Sequence, residues 1–317
     1  MSTLENLFKD YNDEIMLHDS DYEIMRKKRD LIIEEIRDNL DDLTFSVINL
    51  GSYKLKTGVK YKDKDYDIDC GIRLNISKSD LQDYDANKCK RAVYDAISNH
   101  RDKKFKTKCL TAIYQKDGDP NYHIDFPVFA FDEKTSKYYL ADGKQDNVEW
   151  VESKPEDLIN YLYSSDTNYK RIVRLLKKWN NKAFANKSNY AKAPSVALTI
   201  ETKQWFDNNS FNNDLDALIE IVNRLKNLVY FDGTKRIYKQ NPYSDDNLYY
   251  KMDSDEKYVK IFLEEVDKFY NTLVEAKNIK NKSLYECCNK LRKVFPDFPE
   301  PEKEESKESF SRSAKYA

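Results

Sequence analysis

The stretch GSYKLKTGVKYKDKDYDIDCGIRL at residues 51–74 decides how this sequence is interpreted. It follows an apolar segment, FSVINL, that is typical of a buried strand. Gly51 and Ser52 end that strand, and fourteen residues separate them from the Asp67-x-Asp69 pair. From there, apolar and polar residues alternate strictly. This period of two predicts a strand with both aspartates on the same face.

A third aspartate completes the acidic pattern. Asp125 lies within the apolar segment YHIDFPVFA, where a charge is costly without a partner. Three carboxylates on neighbouring strands that face one way repel one another unless a cation lies between them. Mg²⁺ takes oxygen ligands of this kind. In two-metal sites a pair of such ions stabilises both the attacking and the leaving oxygen of a phosphoryl transfer.

Gly51 and Ser52 add an element that suits phosphate binding. A Gly-Ser pair after a strand offers backbone N–H groups and a hydroxyl to a phosphate, with no bulky side chain in the way. A Gly-Ser turn alone, or an Asp-x-Asp strand alone, is common in proteins without such chemistry. Their combination in this order, together with Asp125, favours phosphoryl or nucleotidyl transfer from a nucleoside triphosphate.

Composition excludes several other classes of protein. The net charge is −2, from 54 Lys+Arg and 56 Asp+Glu, so bulk charge does not indicate a nucleic-acid-binding protein. No apolar run reaches the roughly 18 residues of a membrane span, and the N-terminus lacks an apolar signal core. The five cysteines match no zinc-binding spacing, so we expect reduced thiols and a cytoplasmic location.

The secondary-structure pattern changes near residue 155, which predicts two lobes in the 317 residues. Residues 1–155 combine a long N-terminal helix at 22–40 with several strands, whereas 156–298 show only helical patterns. Strands are predicted at 45–50, 66–74, 106–114 and 122–131. Residues 299–317 are charged and Ser-rich, and predict a disordered tail. The predicted fold class is α+β, a mixed sheet with helices followed by an all-helical C-terminal lobe.

The motif at 51–74 resembles the signature of the polymerase-beta-like nucleotidyltransferases. More narrowly, it resembles the bacterial cGAS/DncV-like nucleotidyltransferases (CD-NTases) of CBASS anti-phage defence. The likeness extends over residues 20–295 through further segments in the family's order, namely YHIDFPVFA, EWVESKPEDL, RIVRLLKKWN, APSVALTIE and NPYSDDNLY. The resemblance implies a bilobal polymerase-beta-like nucleotidyltransferase core followed by the helical lobe. The spacer after Ser52 is slightly longer than is usual in the broad family, which would lengthen the loop over the triphosphate.

The resemblance also implies a role for each residue of the motif. Gly51 and Ser52 would hold the donor β- and γ-phosphates, and Asp67 and Asp69 would bind two Mg²⁺ or Mn²⁺ ions. Asp125 would complete the ion nearest the acceptor and would help to deprotonate its ribose hydroxyl.

Two residues of the helical half match triphosphate-binding residues of the family. These are Lys177 in RIVRLLKKWN and Ser195 in APSVALTIE. A solvated helix lysine and a structural serine are the alternatives, and the sequence leaves both open. We expect Arg174 and Lys178 to be surface charges, and His123 to be a structural histidine.

The activity implied by the resemblance is cyclic di- or trinucleotide synthesis from nucleoside triphosphates, with ATP, GTP or both as substrates. The product would activate a separate effector protein. Alternatives are a nucleotidyltransferase that makes linear products, like an oligoadenylate synthase or an RNA-tailing enzyme, and an inactive nucleotide-binding module. Neither a membrane nor a stable nucleic-acid partner is expected. The C-terminal Ala317 is a candidate for conjugation by a ubiquitin-transfer-like E1–E2 enzyme, with ordinary terminal fraying as the alternative.

Overall fold

The computed structural model describes residues 3–41, 43–61, 66–100, 102–114, 122–144 and 146–301. The strands are β1 (Phe45–Asn49), β2 (Tyr66–Leu74), β3 (Lys103–Phe105), β4 (Leu110–Tyr114), β5 (Tyr122–Phe126), β6 (Val128–Asp132), β7 (Lys137–Lys144), β8 (Asn147–Ser153), β9 (Val229–Phe231) and β10 (Lys235–Ile237). The helices are α1 (Leu4–Ile15), α2 (Asp19–Asn39), α3 (Gly51–Leu55), α4 (Ala86–Ala96), α5 (Pro155–Leu162), α6 (Thr167–Ala183), α7 (Ser195–Phe206), α8 (Asp214–Lys226), α9 (Tyr250–Asp253), α10 (Glu256–Ile279) and α11 (Leu284–Leu291).

The first eight strands form one mixed sheet, with β2 near its centre. The order is β3-β4-β5-β2-β6-β7-β8, and β1 pairs with β2 outside that path. In β2 the apolar side chains at 68, 70, 72 and 74 are fully buried, whereas Asp67 and Asp69 are not. The predicted alternation of this strand is therefore confirmed. Its parallel pairing with β5 brings the third aspartate of the motif, Asp125, next to Asp69.

Two of the predicted strands are interrupted. The predicted strand 106–114 begins only at Leu110, because residues 106–109 form the turn of the hairpin that joins β3 to β4. The segment 122–131 divides at Pro127 into β5 and β6, since proline has no N–H to donate to the ladder. The carbonyl of Pro127 still accepts from the N–H of Ile72 at 2.9 Å. Both halves therefore remain parallel partners of β2.

The second half of the chain is helical, as predicted, and has its own apolar core. Trp179 of α6 stacks on Phe269 of α10 with ring centroids 4.5 Å apart. The half also contains a two-stranded ribbon, β9 with β10, that the helical pattern did not predict. Its first strand, Val-Tyr-Phe, has high β-propensity, and Gly233 adopts a φ of +97° in the turn.

The first helix packs against the second half of the chain, although it precedes the sheet in the sequence. Buried residues of α1, among them Phe8 and Tyr11, belong to the same apolar cluster as Trp179. The Tyr11 hydroxyl donates to the carbonyl of Pro296 at 2.9 Å. The predicted division into domains at 1–155 and 156–298 remains a prediction. The contact of Tyr11 with Pro296 links the start of the first part to the end of the second.

Several predictions fall on residues outside the described ranges. They are the loop at 62–65, the turn at 117–120, and residues 302–317 of the predicted tail, including Ala317. None of the helices within the described ranges is both long and apolar enough to cross a membrane. All five cysteines are free thiols, as predicted, and Cys109 is the one that is not fully buried.

A buried lysine joins α4 to the sheet. Lys90 is fully buried, and its three N–H bonds are shared among the carbonyls of Lys106, Thr107, Ala141 and Gly143, which lie 2.8–3.0 Å from Nζ. The Lys90→Met variant should lose about 3 kcal/mol of unfolding free energy, because these carbonyls lose a charged donor in a place that water does not reach.

Urea denaturation measures this free energy. Lys88→Met is the matched control, since Lys88 lies on the same helix with its side chain exposed. Equal unfolding free energies for the two variants would contradict the assigned role of Lys90.

Candidate active site

The Gly-Ser motif forms a tight junction between β1 and α3. Leu50 donates its N–H to the carbonyl of Asp69 at 3.0 Å, and α3 begins at the next residue. Gly51 has a φ of +57°, and a Cβ at this position would overlap the Asp69 carboxylate oxygen Oδ2. Glycine is therefore required here both for its backbone conformation and for the close approach of Asp69.

Asp67 and Asp69 place two carboxylates in one cleft. Asp67 remains accessible to water, but surrounding protein displaces much of its hydration. Burial raises the pKa of Asp67, and the charge of Asp125 adds to this effect. Burial also raises the pKa of Asp69, to which the charges of Asp67 and Asp125 contribute. The cleft therefore concentrates negative charge beyond what the protein compensates.

Asp125 faces the same cleft from the neighbouring strand. Its Oδ1 accepts a hydrogen bond from the Thr111 hydroxyl and lies 3.4 Å from Nζ of Lys106. Sequence reasoning did not single out Thr111 or Lys106 as site residues. The observation that reveals Thr111 is the antiparallel register of β4 with β5, which pairs Thr111 directly with Asp125. The turn before β4 then brings Lys106 to the same carboxylate.

Lys177 and Ser195 come from α6 and α7 and line the same cleft as the aspartates. The Lys177 ammonium is buried and donates to the carbonyl and hydroxyl oxygens of Thr57 at 3.1 and 3.2 Å. Burial lowers the pKa of Lys177 to about 8, and the charge of Asp67 opposes this change. The alternative of a solvated helix lysine is thereby excluded. Ser195 opens α7, with its side chain exposed to the cleft.

The expectation that Arg174 is a surface charge is wrong. Arg174 is buried, and its guanidinium donates to Oδ1 of Asn12 and to the carbonyl of Lys56, both at 2.7 Å. The helical pattern of α6 does not reveal this, because the groups that Arg174 contacts come from distant parts of the chain. Lys178 is half-buried, and it donates to the carbonyl of Lys60 at 3.0 Å.

All seven predicted site residues line one cavity of about 530 Å³. They are Gly51, Ser52, Asp67, Asp69, Asp125, Lys177 and Ser195. His123 lines it as well, although it was expected to be structural. The wall formed by α5 is apolar, with Leu158, Ile159 and Leu162. An apolar wall that faces charged and polar groups suits a ligand with a flat base and an anionic tail.

The three carboxylates do not form a ready-made metal cage. Among the described residues, no group of three or more His, Cys, Asp or Glu side chains is arranged to hold an ion. Asp67 and Asp69 nevertheless fit a Mg²⁺ or Mn²⁺ ion, since they place uncompensated carboxylate charge in the cleft. Mg²⁺ is usually bound through one or two carboxylates together with substrate phosphates and water. Asp125 differs from the other two aspartates in that its Oδ1 contacts Thr111 and Lys106, and its role as a third metal ligand stays a prediction.

The raised pKa values predict a pH-dependent affinity for divalent cations. A raised pKa means that the carboxylate holds its proton at a higher pH, and a cation must displace that proton. Affinity for Mn²⁺ should therefore fall as the pH is lowered from 8 to 6. The fall should be about tenfold in total for displacement of the Asp69 proton, whose pKa is about 7, with most of it below pH 7. Calorimetric titration with Mn²⁺ measures this affinity. Equal affinities at pH 8 and pH 6 would contradict the prediction, and Asp69→Asn should show a shallower dependence.

Comparison with known proteins agrees with this geometry. Residues 46–129 match the nucleotidyltransferase domain of the cyclic GMP-AMP synthase DncV-like family. No curated protein sequence matches the chain. Among solved structures, Vibrio cholerae DncV cyclic AMP-GMP synthase is 14% identical, with a TM-score of 0.71 over 92% of this chain and 96% of DncV.

Two further structures have the same architecture. The Bradyrhizobium diazoefficiens CD-NTase CdnG, solved with GTP, is 13% identical, with a TM-score of 0.71 over 93% of this chain and 96% of CdnG. Escherichia coli MS115-1 CdnC, solved in complex with a HORMA protein, is 14% identical, with a TM-score of 0.67 over 94% of this chain and 98% of its own. At these identities the likeness establishes a shared fold.

The matched domain and the fold define the class of the protein, a nucleotidyltransferase with a DncV-like fold. The match at residues 46–129 and the fold shared with DncV, CdnG and CdnC agree with the resemblance to the cGAS/DncV-like nucleotidyltransferases, or CD-NTases, that the sequence motifs indicate.

Proposed function

We propose that this protein is a cyclic oligonucleotide synthase that joins nucleoside triphosphates and releases pyrophosphate. One observation carries the proposal. A single cavity brings together the Gly51-Ser52 junction, the paired carboxylates of Asp67 and Asp69, and the buried ammonium of Lys177. Nucleotidyl transfer needs groups of these kinds, one set for the triphosphate and another for the cations that act on it.

The donor nucleotide would be held by groups from both halves of the chain. The backbone N–H groups and hydroxyl at Gly51-Ser52 would bind phosphate oxygens, and Lys177 would neutralise charge on the triphosphate. Ser195 would add a hydroxyl from the opposite wall. Because these groups approach from two sides, the triphosphate would be oriented before the acceptor attacks.

Asp67 and Asp69 would hold two Mg²⁺ or Mn²⁺ ions beside the α-phosphate. When bound, such ions lower the pKa of the attacking hydroxyl and stabilise the departing pyrophosphate. Asp125 would face the acceptor ribose and receive its hydroxyl proton at the carboxylate. Thr111 and Lys106 fix Oδ1 of Asp125, so the orientation of this carboxylate does not depend on substrate.

The substrates we propose are ATP and GTP. Vibrio cholerae DncV was solved with the linear intermediate pppA(3′,5′)pG and, as a variant, with ATP and GTP. A cyclic product needs two successive transfers in one site, with the linear product of the first as the substrate of the second.

We also propose that the product activates an effector in anti-phage defence. Conjugation through Ala317 stays a proposal, which deletion of the last three residues in a reconstituted operon would test.

Product analysis tests the proposed function directly. The protein is incubated with the four nucleoside triphosphates and Mg²⁺, treated with phosphatase, and analysed by mass spectrometry. Cyclic products have no terminal phosphate and should survive the phosphatase. Products that lose terminal phosphates would instead support the linear alternative. Nucleotide binding without any product would support the inactive module.

A further inference from the structure

A helix of the second half holds the segment that follows α3. From α6, Arg174 donates to the carbonyl of Lys56 at 2.7 Å. One turn later, Lys177 donates to the carbonyl and the hydroxyl of Thr57 at 3.1 and 3.2 Å. Lys56 and Thr57 of the first half are therefore bound by Arg174 and Lys177. These two cations lie on the same face of one helix.

The same segment is fixed to the Gly-Ser motif. Lys56 ends α3 in a left-handed conformation with φ of +55°, which turns the chain back. Thr57 then donates its N–H to the carbonyl of Ser52 at 2.9 Å. Thr57 is fully buried, so water cannot replace its contacts. Thr57 thus contacts Ser52 and Lys177, which are two of the four proposed triphosphate-binding residues and come from different halves of the chain.

Thr57 also determines where the Lys177 ammonium lies. An ammonium has three N–H bonds, and two of them are directed to Thr57. Asp67 and Asp69 attract the charge, but no ion pair joins either aspartate to Lys177 in the described part of the chain. The carboxylates therefore stay available for cations, and the third N–H of Lys177 stays available for a phosphate oxygen.

We propose that Thr57 is a positioning residue of the triphosphate site, which orients Lys177 relative to Ser52 across the boundary between the two halves. The proposal rests on the proposed function in one respect, namely that Lys177 binds the triphosphate. Thr57 borders the cavity but is fully buried, so we assign its effect to Lys177 and not to contact with the substrate. The Thr57 hydroxyl fixes the ammonium of Lys177 relative to the proposed phosphate-binding groups at Gly51 and Ser52. The triphosphate would therefore meet a preorganised cation.

The Thr57→Val variant tests this role, because valine keeps the branched shape and removes the hydroxyl. The ligand is an ATP analogue with a methylene bridge between the α and β phosphorus atoms, added with Mg²⁺ and titrated calorimetrically. We expect affinity to fall about tenfold, the scale of one hydrogen bond to a charged group. KM for ATP should rise by a similar factor with a smaller change in kcat. Thr57→Ser retains the hydroxyl and should bind within about twofold of the wild type.

A double-mutant cycle with Lys177→Met shows whether Thr57 acts through Lys177. Thr57→Val should weaken binding in the wild-type background and add no further loss in Lys177→Met. Additive losses, wild-type affinity in Thr57→Val, or a loss in Thr57→Ser as large as in Thr57→Val would overturn the proposal. Full affinity in Lys177→Met would overturn it as well, whereas cyclic products from the wild type would still support the proposed function.

Discussion

Replacing Asp67 and Asp69 together by asparagine should slow nucleotidyl transfer by roughly a thousandfold or more, since the transition state loses several kcal/mol of charge stabilisation from the cations. The same double variant should be at least as stable as the wild type when no metal is present. Burial and the charge of neighbouring aspartates raise the pKa of both carboxylates, so the negative charges oppose folding at neutral pH. Loss of activity with unchanged or increased stability is typical of residues that serve function.

Two measurements check this result. Pyrophosphate release from ATP and GTP gives the rate, and thermal unfolding with a chelator present gives the stability. Asp142→Asn is a suitable control, because Asp142 pairs with Lys108 outside the cavity lining. Product formation at the wild-type rate by the double variant would contradict the proposal that Asp67 and Asp69 hold two catalytic metal ions. A marked loss of stability would instead mean that the two carboxylates support the fold.

Replacing Gly51 by alanine should have the second largest effect. An added Cβ would overlap Oδ2 of Asp69, so the carboxylate or the β1–α3 junction must move. A displacement of about 1 Å in a catalytic group can cost about a hundredfold in rate, and we expect at least that loss. The positive φ adds about 1–2 kcal/mol of backbone strain for any L-residue that replaces glycine.

Gly233→Ala separates these two contributions. Gly233 also has a positive φ, +97°, but no atom lies within 4 Å of the position that its Cβ would take. This control should lose stability through backbone strain alone and keep full activity, because Gly233 lies in the β9–β10 turn and not in the cavity lining. Urea unfolding and pyrophosphate release are measured for both variants. If Gly51→Ala were as active as Gly233→Ala, the close approach of Gly51 to Asp69 would have no functional importance.

Much of this protein can be predicted from local pattern. Strict alternation in β2 predicts which face carries Asp67 and Asp69, because side chains of a strand point alternately to its two sides. The Gly-Ser pair after a strand predicts a turn that leaves room for a phosphate, because glycine has no side chain. Helical periodicity predicts α6 and the burial of Trp179. Each of these inferences depends on residues that are near neighbours in the chain.

Other features could not be predicted because they depend on contacts between distant segments. The burial of Arg174 follows from Asn12 of α1 and from the carbonyl of Lys56. The hydrogen bond of Thr111 to Asp125 follows from the β4–β5 register. Period and composition carry no information about such partners, since the free energy of each contact belongs to a pair that only the folded chain brings together.

The order of the residues along the chain was sufficient to indicate the class of chemistry, the strand that bears two of its carboxylates and the Gly-Ser pair proposed to bind phosphate. The folded arrangement alone established that Lys177 is buried, that Thr57 and not an aspartate holds its ammonium, and that Asp125 is bound by Thr111 and Lys106. The physical reason is one of range. Side-chain direction is a local property of the backbone, whereas hydrogen-bond partners and burial are set by segments that meet in tertiary packing.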